Sequence, residues 1–563
     1  MKKSRERRLI LDSIMLGVVG ALGAQVFTIL LHLAEHLLLE GLAGYTPPGL
    51  PDEGGVLRQV IGSHGLWWIP LCTTLGGLIS GVLVYGLAPE AEGHGTDTAV
   101  KAFHRSGGEI RPRVTPLKMV ASAVTIGSGG AAGREGPTAL ISAGIGSLYA
   151  TLTGRSDDER RLLVLIGMAA GLSAIFRSPI GTALFAVEVL YAEMEFEAAA
   201  LLYTMLASVV AYVVNGLFVG WKPLFQVPAG LGDPGATDYL WYAVLGLGSG
   251  LVATLLPPLF YGMRDAFRRI PIPVHLKPAL GGLGVGVMAL WLPQVLGGGY
   301  GWIQEAMDGR LALRLLLILV FAKALAFALT VSSGGSGGVF APTLFVGAML
   351  GGVVAQATGH STPAFVVVGM AAVFGGAAHV PMATLLMVTE MTGGYRLLVP
   401  AALAVFVSYF VQRFLSERLR YPSLYEAQVP ARADSPTHHL EQLQNAFRLV
   451  QERTVSSPRP LGRLELAALL EAGVAIVLGD GQELVLGMLR PESPWIGQPL
   501  PREFFAQAED VQIVAILRDR RVFVPDAETT LEANDQVMLI LGPAGWPALE
   551  QHLERAHPAN IRP

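Results

Sequence analysis

Gly133-Arg134-Glu135-Gly136-Pro137-Thr138, running on through Ala139-Leu140-Ile141-Ser142-Ala143-Gly144-Ile145-Gly146, decides the fold because the chain contains its pattern twice. The second copy is Gly338-Val339-Phe340-Ala341-Pro342-Thr343, followed by Leu344-Phe345-Val346-Gly347-Ala348-Met349-Leu350-Gly351. The two share the opening Gly, the Pro-Thr pair, an Ala and the closing Gly. Further on, Gly167-Met168-Ala169-Ala170 answers Gly369-Met370-Ala371-Ala372, and Pro179, Thr182, Leu184 and Glu188 answer Pro381, Thr384, Leu386 and Glu390. The offset falls from 205 (338 − 133) to 202 (369 − 167), as one three-residue deletion would produce. The chain is therefore two related halves.

The solvent of those halves follows from composition. The 563 residues are 52% hydrophobic and only 15% charged, too little charge for a soluble surface. Apolar runs at Leu9–Leu39, Leu66–Leu87, Ala198–Val219, Tyr239–Tyr261, Leu311–Val331 and Pro400–Phe414 include several near the roughly 20 residues a spanning helix needs. Gly338–Val354 and Ser361–Met391 read as apolar but broken by Gly and Pro. The 68 glycines suit close helix packing and unwound segments. Lys2, Lys3, Arg5, Arg7 and Arg8 precede the first run, which predicts an uncleaved first helix with a cytoplasmic N-terminus. The one cysteine, Cys72, excludes an intrachain disulfide.

Repeats with interrupted helices at matching places mark transporters whose site lies between the halves, near the membrane midplane. Each break puts a helix N-terminus inside the bilayer, where orphan N–H groups and the helix dipole attract anions. A full positive charge would trap a dehydrated anion, whereas partial charges bind it weakly enough for release. An anion is the expected cargo.

The motifs then become specific. Gly133-Arg134-Glu135-Gly136-Pro137 resembles the GREGP motif of CLC chloride channels and exchangers, and Gly337-Gly338-Val339-Phe340-Ala341-Pro342 their GGxFxP. Gly93-His94-Gly95-Thr96-Asp97 stands where the family has GSGIP, and Tyr425 where it has a pore tyrosine after the last membrane helix. The resemblance covers roughly residues 10–430. It implies an all-α multi-pass membrane domain, a CLC-like inverted repeat of tilted and broken helices, with a small cytoplasmic α/β domain after it. It implies that Glu135 is the gating carboxylate, occupying an anion site when charged and leaving it when protonated or displaced. The implied anion-binding set is His94, Gly95, Arg134, Gly136, Val339, Phe340, Ala341 and Tyr425, with Val339 and Phe340 offering backbone N–H groups. For Arg134 a structural or field role stands beside that of ligand, and for Tyr425 an interfacial position stands beside pore lining. Glu188 and Glu390, at equivalent repeat positions, are expected to share a structural role. Lys118 and His379 are expected to be structural or vestibule residues. A homodimer with one pathway per subunit is also implied, in the bacterial cytoplasmic membrane with both termini inside.

Two departures from the family bear on function. His94 replaces the serine that helps hold the central anion; either its ring N–H serves instead, or it turns away and backbone amides suffice. Val189 stands where exchangers resembling this chain carry a proton-relaying glutamate. Valine cannot carry a proton, so a chloride channel gated by Glu135 is the first expectation, with proton-coupled exchange of chloride or another halide or nitrate as the alternative. Glu188, Glu193, Glu195 and Glu197 are the acids near enough in sequence to substitute.

Composition changes near Tyr425, giving a membrane domain at 1–430, a linker at 431–482, a module at 483–556 and a tail at 557–563. The module's strand candidates are 484–489, 511–517, 521–524 and 536–541, with a turn at Asp519-Arg520 and a short helix after Ser493. Their order resembles the TrkA-C (RCK-C) module of potassium-transport regulators. Such modules usually dimerise, and some bind a cyclic dinucleotide, which makes that ligand a candidate partner. Within the linker, Leu440, Leu443, Ala446, Phe447 and Val450 have the spacing of an amphipathic helix.

The rival functions lack their chemistry. A cation channel needs a carbonyl filter such as TVGYG or acidic rings, and a membrane enzyme needs HExxH, Gly-x-Ser-x-Gly or paired Asp. Neither TVGYG nor HExxH occurs in the membrane part. No enzyme activity, metal, resident cofactor or nucleic-acid partner is expected.

Overall fold

The computed structural model describes residues 2–228 and 234–431, and beyond them 435, 476–477, 483–490, 493–498, 511–518, 521–523, 525, 529–533, 535–541, 549 and 553–555. The chain forms two compact units, Met1–Gln428 and Val429–Pro563.

The first unit carries sixteen α-helices among the described residues. They are α1 (Lys2–Glu35), α2 (Ile69–Leu87), α3 (Thr96–Arg105), α4 (Val114–Gly127), α5 (Glu135–Leu152), α6 (Asp157–Phe176), α7 (Pro179–Glu188) and α8 (Ala198–Val219), then α9 (Ala236–Arg269), α10 (Lys277–Ala289), α11 (Tyr300–Met307), α12 (Leu313–Ser332), α13 (Phe340–Thr358), α14 (Thr362–Ala378), α15 (Pro381–Thr392) and α16 (Leu398–Ser416). Helix by helix, α1 to α8 correspond to α9 to α16. Among the described residues, seven helical segments are long and apolar enough to cross a membrane. The Gly338–Val354 run, read as broken, instead belongs to the continuous helix Phe340–Thr358, because Pro342 lies in its first turn, where a missing N–H breaks no intrahelical bond. The Ser361–Met391 run does break, into α14 and α15. The three-residue deletion shortens α14, which has 17 residues against 20 in α6. Missing from it is the acidic first turn Asp157-Asp158-Glu159.

The halves are joined around a pseudo-twofold axis. Gly133 N donates to Gly338 O at 2.8 Å and Gly338 N to Gly133 O at 2.6 Å, so equivalent residues bond each other. Only points beside the axis can do that. Away from it, contacts come in exchanged pairs. The Glu188 carboxylate accepts from Met382 N and Ala383 N at 3.1 and 2.6 Å, at the start of α15. The Glu390 carboxylate accepts from Ile180 N, Gly181 N (2.9 Å) and the Ser178 hydroxyl (2.6 Å), at the start of α7. Each glutamate satisfies the orphan amides of the other half's helix, the shared structural role expected of them. Arg177 and His379 are likewise equivalent. They are the two non-glycine residues at positive φ among the described residues (55° and 57°), and each ends its helix, α6 or α14. His379 is held there by Gln412, Nε2 to Oε1 at 2.6 Å, in keeping with a structural part.

In the second unit the expected strands are present. β1 and β2 are the short pair Tyr45–Thr46 and Val60–Ile61 of the first unit. The tail adds β3 (Ile476–Val477), β4 (Glu483–Leu489), β5 (Val511–Arg518), β6 (Arg521–Phe523), β7 (Gln536–Leu541) and β8 (Leu553–Arg555). The sheet order is β3-β4-β7-β5-β6, with β8 also on β4, and the pairings are antiparallel. Val485, Ile513, Ile516, Val537 and Leu539 form its core. Arg518 opposite Arg521 fits a two-residue turn, though Asp519-Arg520 itself lies outside the described residues. So do the helix expected at 440–450, most of the linker, the tail 557–563 and the continuation of the turn after Gln498.

Candidate functional site

Three helices begin at one place. α3 starts at Thr96, α5 at Glu135 and α13 at Phe340, and a cavity of about 10 Å³ between them is lined by Thr96, Glu135, Gly136, Val339, Phe340 and Tyr425. That volume is about one water-sized sphere. Leu172, Phe176 and Phe185 complete the wall. First-turn amides of a helix have no intrahelical acceptor, so three such starts give the cavity a positive lining without a formal charge.

Glycine makes the convergence sterically feasible. Gly95, the residue before α3, has φ +85°, and a Cβ on it would lie 2.7 Å from the Gly136 carbonyl oxygen. A Cβ on Gly136 would collide with the His94 carbonyl oxygen. Backbone here packs on backbone, and no larger residue fits either position.

The Glu135 carboxylate is buried, and neither oxygen has a hydrogen-bond partner among the described residues. It folds back against Gly133, where a Cβ would strike Oε2 and lie 2.9 Å from the Ala341 Cβ. The acid therefore rests between the starts of α5 and α13, beside the amide of Ala341. It is an ionisable group inside a membrane unit, among helix starts, with no side-chain hydrogen-bond partner among the described residues.

Tyr425 is brought to the cavity by the segment after α16. Leu424 N donates to Ala377 O (2.9 Å), the Tyr261 hydroxyl to Leu424 O (2.8 Å), and Ala427 N to the Asp97 carboxylate (3.0 Å). The Tyr425 hydroxyl meets that of Thr96. Tyr425 is buried and lines the cavity. Phe340 turns its ring into a cluster with Phe176 and Phe374 (centroids 4.4 and 4.2 Å), so what it can offer the cavity is backbone.

His94 is set back. Its ring lies edge-on to Tyr425 (5.4 Å) and Phe260 (6.1 Å), with Nε2 3.6 Å from Asp97 Oδ2. The side chain in the cavity wall is Thr96, two residues on, which the sequence reading passed over. Arg134 is also outside the wall: its guanidinium pairs with Glu53 and lies over the Tyr300 ring at 5.2 Å. Val189 is buried just past the end of α7, one turn from the wall residue Phe185.

Two buried lysines complete the surroundings. Lys118 Nζ donates to Ala91 O (2.9 Å) and Gly93 O (2.6 Å), fixing the backbone that leads into α3. Lys323 Nζ donates to Val295 O (2.8 Å), Leu296 O (3.3 Å) and Gly297 O (2.6 Å), ahead of α11. The pair obeys the 205-residue offset, a signal that could have found Lys323.

Comparison with known proteins agrees with this architecture. A family model described as voltage gated chloride channel matches residues 76–413, and one described as TrkA-C domain matches residues 488–553. The H(+)/Cl(-) exchange transporter ClcA of Cronobacter sakazakii is 31% identical over 404 residues, 67% of this chain and 85% of that protein. A ClcB-like chloride channel protein of Ralstonia nicotianae is 32% identical over 358 residues, 61% of this chain and 82% of that one. Among solved structures, a slow cyanobacterial Cl-/H+ antiporter superposes with TM-score 0.64 at 20% identity, covering 73% of this chain and 95% of its own. A CLC-type fluoride/proton antiporter gives 0.63 at 23% identity, covering 76% and 98%.

Proposed function

The chain belongs to the voltage gated chloride channel family, and from that premise we propose that it exchanges chloride for protons, with Glu135 as the carboxylate that serves both. The observation that carries the reading is the unpartnered, buried Glu135 carboxylate among three helix starts. Charged, it is a tethered anion competing for the place a chloride would take. Protonated, it has no reason to stay and carries a proton as it leaves. One group then alternates between the two cargoes, which is what coupling requires. The reading also draws on the ClcA relatives, named as exchange transporters at about 31% identity over two thirds of the chain.

Val189 favours a passive channel, the first expectation from sequence, and the ClcB-like relative keeps that second reading in view. Exchange needs another way for protons to reach Glu135 from the cytoplasmic side. Of the acids that follow Phe185, Glu188 is committed to the amides of α15. Glu193 pairs with Arg413 near the surface. Glu197 is buried and accepts from the Tyr191 hydroxyl at 2.8 Å, a few residues past Val189, and we assign it the relay.

The same reading includes a homodimer in the bacterial cytoplasmic membrane with both termini inside. It also includes the domain limits at 430, 482 and 556 and a tail that responds to a small ligand such as a cyclic dinucleotide. The experiment is reconstitution in liposomes under a chloride gradient, with reversal potential read while the proton gradient varies. Exchange requires the potential to move with the proton gradient, and Glu197→Gln to weaken that movement. A potential fixed at the chloride Nernst value would establish the channel instead.

A further inference from the structure

Between α1 and α2 the chain forms a compact strap. Its ends pair as β1 and β2, with Tyr45 opposite Ile61 and Thr46 opposite Val60. Inside that ladder Gly49 N donates to Val56 O (2.9 Å) and Gly55 N to Leu50 O (3.0 Å), closing a loop around the 3-10 turn Pro51–Glu53. Tyr45 and Leu50 are buried. The Pro48 carbonyl packs so closely on Gly301 in the first turn of α11 that a Cβ there would collide with it. This segment is seated on the helices.

It reaches the candidate site through one side chain. Glu53 Oε1 accepts from Arg134 Nη2, with the arginine side chain 6% and the glutamate 22% exposed. Tyr300 of α11 covers the guanidinium. The acids close enough to act on Arg134 are Glu53, its chain neighbour Glu135, and Glu35 at the end of α1. Of these it is Glu53 that bonds the guanidinium, while the Glu135 oxygens have no hydrogen-bond partner. Two carboxylates thus compete for one buried cation, and the strap holds it.

We propose that Glu53 is a positioning residue for transport. By keeping the Arg134 charge engaged on the strap, it prevents that cation from clamping Glu135 or an arriving anion. A bare guanidinium beside the pathway would trap what helix ends only attract. The inference rests on the reading of Glu135 as the moving carboxylate, and it names the segment 45–61 as the part of the protein that sets how freely that carboxylate moves.

The full-length protein in planar bilayers, with chloride titrated on one side at a time, tests it. Glu53→Gln is expected to lower the apparent KM for chloride on the strap's face about tenfold and to lower maximal turnover several-fold, the signature of tighter binding with slower release. Glu53→Asp, which keeps the charge, restores both. In an Arg134→Gln background, Glu53→Gln then changes neither. An unchanged KM in E53Q, or the same shift with and without Arg134, overturns the proposal. A purely structural role for the strap would lower thermal stability in E53Q and E53D alike without a KM shift, and that result overturns it too. The proton-to-chloride ratio of the wild type, read in the same preparation, tests exchange separately. A ratio of zero removes the coupled reading and leaves the KM comparison to decide the role of Glu53.

Discussion

Helices α5 and α13 start at equivalent places in the two halves, and the glycines just before them exchange amide hydrogen bonds across the axis. Their next two residues differ completely. The first half has Arg134-Glu135, a cation bound to the strap and a carboxylate with no side-chain hydrogen-bond partner among the described residues; the second has Val339-Phe340, apolar and packed. The starts of α3 and α11 diverge in the same way. Each follows a glycine at positive φ (Gly95 at 85°, Gly299 at 81°), but α3 opens with Thr96 in the cavity wall and α11 with Tyr300 over Arg134. Duplication supplies a symmetric frame of helix ends, and a few substitutions in one half turn that frame into a device with direction. A site symmetric in its side chains would have no single group to carry a proton.

The largest break in that asymmetry is Glu135→Gln. It leaves both helix starts and the shape of the cavity, and removes the one carboxylate among the described wall residues. We expect chloride flux to continue and proton coupling to vanish. The reversal potential should then sit at the chloride value whatever the proton gradient.

Next come the exchanged caps, where the halves are equivalent but unequally bonded. Glu390 accepts from two amides and the Ser178 hydroxyl, Glu188 from two amides. Each buried donor left unsatisfied costs about 1–3 kcal/mol. Glu390→Ala should therefore lower the thermal midpoint in detergent more than Glu188→Ala. Equal losses would mean that the hydroxyl contributes nothing. The lysines sharpen the same comparison at smaller scale. Lys323→Met should cost stability alone, whereas Lys118→Met, which frees Gly93 just ahead of α3, should also slow transport. A transport defect of the same size in both would show that the two halves are less distinct than their side chains suggest.

Much of this was legible before the structure. The repeat, the break between α14 and α15, the shared role of Glu188 and Glu390 and the tail's strands follow from pattern, because helix and strand periods and a fixed offset survive in sequence, while Glu135 was singled out by the resemblance of its motif. Three features were not. The Glu53–Arg134 pair joins residues 81 apart through a loop whose course depends on packing, and no local signal announces it. For His94 the motif left two readings, a ring that serves the anion or one that turns away, and the choice between them lies in its place between Gly93 (φ 70°) and Gly95 (φ 85°). Two left-handed residues re-aim the side chain between them, and a motif read letter by letter cannot register that turn. The Gly338–Val354 run reads as broken for a related reason: proline interrupts a helix only where an N–H is needed, and position matters more than identity.

The smallest expected effect decides between those neighbours. If the anion is held by hydroxyls, Thr96→Val removes one of the two, the other being Tyr425, while the threonine's shape is kept. A hydrogen bond to a charged group contributes about 1.5–3 kcal/mol, so chloride binding measured by calorimetry should weaken roughly tenfold or more. His94→Gln keeps a hydrogen-bonding group near Asp97 and changes a residue behind the wall, so affinity should change less than about threefold, about 0.7 kcal/mol. The reverse order would mean that the His94 ring swings inward when an anion arrives. The first half's asymmetry would then lie in a moving histidine as well as in a moving carboxylate, and the two could be separated by repeating both titrations in Glu135→Gln.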